Sequence, residues 1–252
     1  MLNAQPIVPT LSLRVRPSAL EATIRPCADS RCVETSPLFA DIPRVDQAKI
    51  LSSALPRKFT RRHTIFHAGD LNREVLLLTE GCVKITQLGE NGSEIILRLN
   101  SPGELVGAVG ELRQGGHTST AEALVPCKAV VWNIAGFEAL SERYPLLQRN
   151  TMRILARRLQ ELEGRFLEIS TERVAPRLAR ELLRLLAHVG RKVDDVVEIH
   201  LSREELAQLT GTTLFTVSRL LSSWEQGGIL SLRRQAVCVK SPFGLLGLCG
   251  LR

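Results

Sequence analysis

The chain has 252 residues, 44% of them apolar, which is enough for one large domain or two modest ones; two is the expectation. A formal charge of +7 favours an anionic partner such as nucleic acid, and no apolar run reaches the roughly 18 residues of a membrane span. Six scattered cysteines exclude the disulfide framework of small secreted domains, and the N-terminus lacks the compact apolar stretch of a secretory signal, so a soluble cytoplasmic protein with reduced thiols and no membrane contact is expected.

Residues 1–35 open with "MLNAQPIVPTLSLRVRPSALEATIRP", which has prolines but no sustained period, and they are expected to form a loosely ordered arm. From 36 to 140 the chain breaks into short apolar runs punctuated by Gly, Asn and Asp, such as "TIFHAGD", "EVLLLTEGCVKITQL" and "STAEALVPCKAVVWNI". That pattern predicts an antiparallel roll or barrel. In "LGENGSE", Asn91-Gly92 predicts a hairpin through its preference for positive φ.

The period changes near Tyr144. Met152, Leu155, Leu159, Leu162, Phe166 and Ile169 recur every three or four residues, a heptad seam on a helix assigned to 141–172. A symmetric homodimer is expected through this stripe, the alternative being that it packs on the β domain. Residues 173–252 form the last domain. Its first helix is expected after Pro176, over about 177–188, with Leu178, Leu182, Leu185 and Leu186 on one face.

In "LSREELAQLTGTTLFTVSRLLSSWE", Ser202 and Glu205 have the spacing of a capping box and Gly211 suits a tight turn. Thr213 can cap a second helix beginning at Leu214, whose Val217, Leu220, Leu221 and Trp224 turn inward and leave Thr212, Thr216, Ser218 and Arg219 outside. Two readings stand at this point: a helix-turn-helix whose second helix enters the major groove, or an ordinary helical hairpin with a solvated face. The following "GGILSLRRQAVCVKS" suggests a two-stranded wing with Arg233 and Arg234 placed for backbone phosphate, and the apolar tail "PFGLLGLCGLR" suggests a last piece of core. No carboxylate pair, activated nucleophile or Gly-rich phosphate loop stands in a context for catalysis, so an enzyme is not expected.

The order "AGD", "EG", "PGELVG", long helix and "TVSRLL" resembles the CRP/FNR family of bacterial transcription regulators over roughly residues 36–240. The resemblance implies an α+β fold: an N-terminal antiparallel β-roll (jelly-roll) sensor domain, a long dimerisation helix and a C-terminal winged helix-turn-helix domain. It implies double-stranded DNA and RNA polymerase as partners, with DNA contacts from Thr212, Thr213, Leu214, Phe215, Thr216, Ser218, Arg219, Arg233 and Arg234. Phe215 stands where many members carry Glu, and a phenyl ring suits a thymine methyl group rather than cytosine.

By the same resemblance the effector pocket falls on Gly103, Glu104, Leu105, Gly107, Ala108, His117 and Thr118. Ala108 replaces the ribose-binding Glu, His117-Thr118 replaces the phosphate-binding Arg-Ser pair, and Leu162-Glu163 replaces small polar residues on the dimer helix. Strong cyclic AMP binding is therefore not expected. An iron–sulfur cluster would need four thiolates, and only Cys27 and Cys32 lie near the N-terminus, with Cys127 off the distal ligand position. Haem on His63, His67 or His117 is not expected either, and a Cys27–Cys32 redox pair is weighed against two inert loop thiols. Two rival readings remain: a sensor or scaffold that binds a protein, and a constitutive DNA binder with a vestigial pocket.

Overall fold

The computed structural model describes residues 35–107, 116–193 and 196–249. Residues 1–34 of the arm, with Cys27 and Cys32, and Ala108 lie outside the described residues. Twelve strands form three antiparallel four-stranded sheets among the described residues.

Two of the sheets build the roll. The first has the order β1-β8-β3-β6 and the second β2-β7-β4-β5, with β1 Leu55–Phe59, β2 Thr64–Phe66, β3 Glu74–Glu80, β4 Val83–Leu88, β5 Glu94–Asn100, β6 Leu105–Val106, β7 Thr120–Ala123 and β8 Cys127–Asn133. The continuous apolar run "EVLLLTE" follows from burial on both faces. Leu76 and Leu78 face the other sheet beside Val83, Ile85 and Ala121, whereas Val75 and Leu77 pack outward under Leu38, Phe39 and Ile50. Ile50 belongs to α1, Arg44–Ser52.

The predicted hairpin forms between β4 and β5, but as a five-residue loop in which Leu88 pairs with Glu94. Only Gly92 takes positive φ (77°); Asn91 instead accepts the Ser93 amide at 3.1 Å, so the side chain rather than the backbone of Asn91 shapes the turn. Cys82 lies in the turn just ahead of β4.

The expected 141–172 helix is two helices, α2 Ile134–Arg143 and α3 Pro145–Thr171. Pro145 tolerates the first position of a helix but cannot continue the preceding one, so the chain breaks at Tyr144. The 27 residues of α3 extend about 40 Å. Its start is fixed to the roll by Leu147 and by Asn150, which donates to the Leu38 and Ala40 carbonyls at 3.0 and 2.7 Å.

The last domain begins with α4, Val174–His188, three residues ahead of expectation. Pro176 sits in its first turn, where the missing amide would have had no helical partner. Leu178, Leu182, Leu185 and Leu186 are buried as expected. The opposite side of α4 meets α3 through Arg165–Glu181 (3.1 Å), Arg180–Glu172 (2.5 Å) and Arg184–Glu168. The wing is the edge of a four-stranded sheet ordered β11-β12-β10-β9 rather than an isolated pair. The unforeseen strands β9 Arg191–Val193 and β10 Val196–Ile199 precede the helical pair, and β11 Leu230–Arg233 and β12 Ala236–Val239 follow it. The apolar tail forms α7, Pro242–Leu248, and inserts Leu245 into the core with α4.

Candidate nucleic-acid interface

The helical pair is α5 Arg203–Thr210 and α6 Leu214–Gln226. Ser202 Oγ accepts the Glu205 amide at 3.1 Å and Glu205 returns the bond to the Ser202 amide at 2.7 Å, completing the capping box. Gly211 ends α5 at φ 59°, the left-handed conformation in which a side chain is disfavoured. Arg177, itself buried, donates to the Gly211 carbonyl at 3.4 Å and so ties the turn to α4. Thr213 Oγ1 accepts the Thr216 amide at 3.2 Å and starts α6.

Burial sets the face that α6 presents. Val217, Leu221 and Trp224 lock into the core formed by α4, α5, β11 and β12, with Leu220 half-buried beside them. The first two turns point one face away: Leu214 is 50% and Phe215 77% exposed, and Arg219, one turn further on, is exposed without an ion pair among the described residues. Thr212, Thr216 and Ser218 flank this face half-buried. Two apolar side chains left in solvent beside a free guanidinium are costly on an ordinary helical hairpin and suited to methyl groups and guanine edges in a groove.

In the wing, Arg234 is exposed in the turn between β11 and β12, where Gln235 takes φ 111°. Arg233 is half committed, since it pairs with the buried Glu198 at 3.3 Å. Sequence reasoning missed this partner because Glu198 lies on the unforeseen β10.

The effector-pocket residues are only partly brought together. Gly103 and Gly107 take positive φ (88° and 97°), and Leu105 is buried. Glu104 turns back to accept the Ser101 amide at 2.9 Å. His117 is buried and stacked on Phe66 at 3.6 Å, next to Gly107, and burial pushes its pKa down, which holds the imidazole neutral. Thr118 is exposed. His63 and His67 are exposed as well, and Cys82, Cys127, Cys238 and Cys249 are buried free thiols.

The seam of α3 stays largely open. Met152, Leu159, Leu162 and Ile169 are about half exposed and Phe166 is 73% exposed, whereas Leu155 packs against the roll-side core. No helix among the described residues is long and apolar enough to cross a membrane.

Two family models match the chain: a cyclic nucleotide-binding domain over residues 56–144 and a Crp-like helix-turn-helix domain over 176–248. The cyclic AMP receptor protein of Thermus thermophilus is 31% identical over 217 residues, 83% of this chain and 98% of the relative. The transcriptional activator protein FnrA of Stutzerimonas stutzeri is 27% identical over 242 residues, 95% and 97% of the two chains. Among solved structures, a CRP-family transcriptional regulator of Thermus thermophilus superposes with a TM-score of 0.66 at 26% identity, covering 77% of this chain and 96% of the other. With the exposed first turn of α6 and the roll in front of it, these relationships place the chain in the CRP/FNR family of DNA-binding transcription regulators.

Proposed function

We propose that the protein binds a near-palindromic duplex site as a homodimer, with α6 of each protomer in successive major grooves. The observation that carries this reading is the capped, outward face of the first two turns of α6, which offers Phe215 and Arg219 to base edges while Val217, Leu221 and Trp224 fix its rotation. Thr212, Thr213, Thr216 and Ser218 border the groove, and Arg233 and Arg234 of the wing approach phosphate. The open stripe from Met152 to Ile169 is the dimer seam, and RNA polymerase is the partner that a regulator of this kind addresses.

The roll acts as a sensor for an effector other than cyclic AMP. A neutral, stacked His117 and an exposed Thr118 supply no fixed charge for a cyclic phosphate. Titration calorimetry with cyclic AMP is expected to show no micromolar binding. Selection from a random duplex library tests the main reading: it should enrich two inverted half-sites about one DNA turn apart, about 10 base pairs between centres, with thymine at the Phe215 position. Recovery of unrelated sequences in proportion to their input would refute it and favour a protein partner.

A further inference from the structure

Arg98 departs from the pattern of its strand. β5 bulges at Leu97: Ile96 opposes Thr86 and Arg98 opposes Ile85, which leaves Leu97 unmatched on β4. Side chains directly opposite each other leave the same face of a sheet, and Ile85 is fully buried between the two sheets of the roll. The bulge therefore directs a guanidinium toward an apolar interior. Among the described residues Arg98 Nε is shut off from solvent and has no hydrogen-bond partner. The two carboxylates that act on Arg98 are engaged elsewhere: Glu104 with the Ser101 amide at 2.9 Å and Glu161 with Arg157 at 2.9 Å.

A second guanidinium lies beside it. Arg158 reaches from α3 to the carbonyls of Leu105 and Gly107 and, like Arg98, pairs with no carboxylate of the described residues. Burial, reinforced by Arg158, pulls the Arg98 pKa down to about 10. Two half-buried guanidinium groups that repel each other, and that form no ion pair with a carboxylate of the described residues, are unfavourable until an anion joins them.

We propose that Arg98 and Arg158 hold the anionic group of the effector, a carboxylate or phosphate lodged between β5 and α3. This rests on the reading of the roll as a sensor. It places the charge-binding atoms on β5 and α3 instead of on the loop that carries His117 and Thr118. The readout is built into the same strand. The Leu97 carbonyl accepts Arg165 at 3.0 Å, Arg165 also holds Glu181 of α4, and Ile96 is buried in the core of the DNA-binding domain. An anion that draws on Arg98 thus acts on the strand that carries both links.

The test is thermal melting of the full-length protein in sodium malonate and in sodium phosphate, each against sodium chloride of equal ionic strength. The wild type should gain about 3 °C or more with at least one anion as its site fills. Arg98→Met should melt higher than wild type without added anion and lose the gain, and Arg158→Met should need at least tenfold more anion for the same shift. A gain confined to malonate or to phosphate identifies which group the site takes. No gain in the wild type, or an equal gain in Arg98→Met, would overturn the proposal. Loss of dimerisation in Arg98→Met with no response to either anion would overturn it too, by assigning Arg98 to a carboxylate across the dimer. Because melting is read without DNA, failure of the anion site with an intact palindrome sinks this inference alone. Failure to enrich any palindrome sinks the regulator reading instead.

Discussion

Replacing Phe166 by Ala should weaken the dimer and leave the protomer folded. Phe166 is 73% exposed on α3, so its ring contributes little within one protomer. Fully covering such a side chain is worth about 1.5–3 kcal/mol, and at this exposure the seam would gain about 1–2 kcal/mol per protomer. A two-fold interface buries the residue twice, so the loss is about 2–4 kcal/mol, or between about 30-fold and 1000-fold in dimer Kd. Sedimentation velocity over a concentration series measures that constant, and far-ultraviolet circular dichroism with thermal melting reports whether the protomer is intact. An unchanged dimer constant would show that the partner lies elsewhere. Unfolding of the variant would show that Phe166 belongs to the protomer core, and either result refutes the seam.

Two further predictions concern stability. Thr213→Ala removes the cap of α6 and should cost about 0.5–2 kcal/mol in chemical denaturation of the DNA-binding domain, whereas Thr213→Ser should restore most of it; equal stability of all three proteins would mean that the Thr213–Thr216 bond is idle. His117 has a pKa lowered by burial, so the unfolded chain binds its proton more tightly than the folded one. Its contribution is complete at neutral pH and above, and declines as pH falls below the ordinary histidine value near 6.5 toward the folded pKa. Denaturation midpoints between pH 7.5 and 5 should fall less steeply in His117→Gln than in the wild type, and identical slopes would contradict a buried neutral imidazole.

The helix-turn-helix was legible because its signals are local. The Ser202–Glu205 box, the left-handed Gly211 and the Thr213 cap lie within a few residues of the bonds they make, and each sits where the spacing put it. Where two rules compete, the sequence misled. Pro176 reads as a boundary, yet a proline is equally at home in a first turn, and α4 begins ahead of it. "RKVDDVVEIH" is too short to show a period of two, and the hairpin of β9 and β10 went unseen, along with the Glu198 that occupies Arg233.

The sensor side was legible as architecture and opaque as chemistry. Short apolar runs punctuated by Gly, Asn and Asp mark the roll, but the bulge at Leu97 shifts every later side chain on β5 by one position, and nothing in "EIILRL" announces it. Arg98 therefore reads as a surface residue until register is known. The long-range pairs from α3 to α4 escape for a related reason, because Arg165–Glu181 and Arg184–Glu168 join positions 16 residues apart that become neighbours only once the chain turns near Arg173.

The most direct test of DNA reading by α6 is fluorescence anisotropy of wild type and Arg219→Ala on an enriched palindrome and on a scrambled duplex, at two salt concentrations. A guanidinium bound to a base edge should be worth about 1–3 kcal/mol per contact on the palindrome, with little change on the scrambled duplex. Equal losses on both duplexes, shrinking at higher salt, would make Arg219 a phosphate contact. No loss on either would return α6 to the status of a core helix with a polar face.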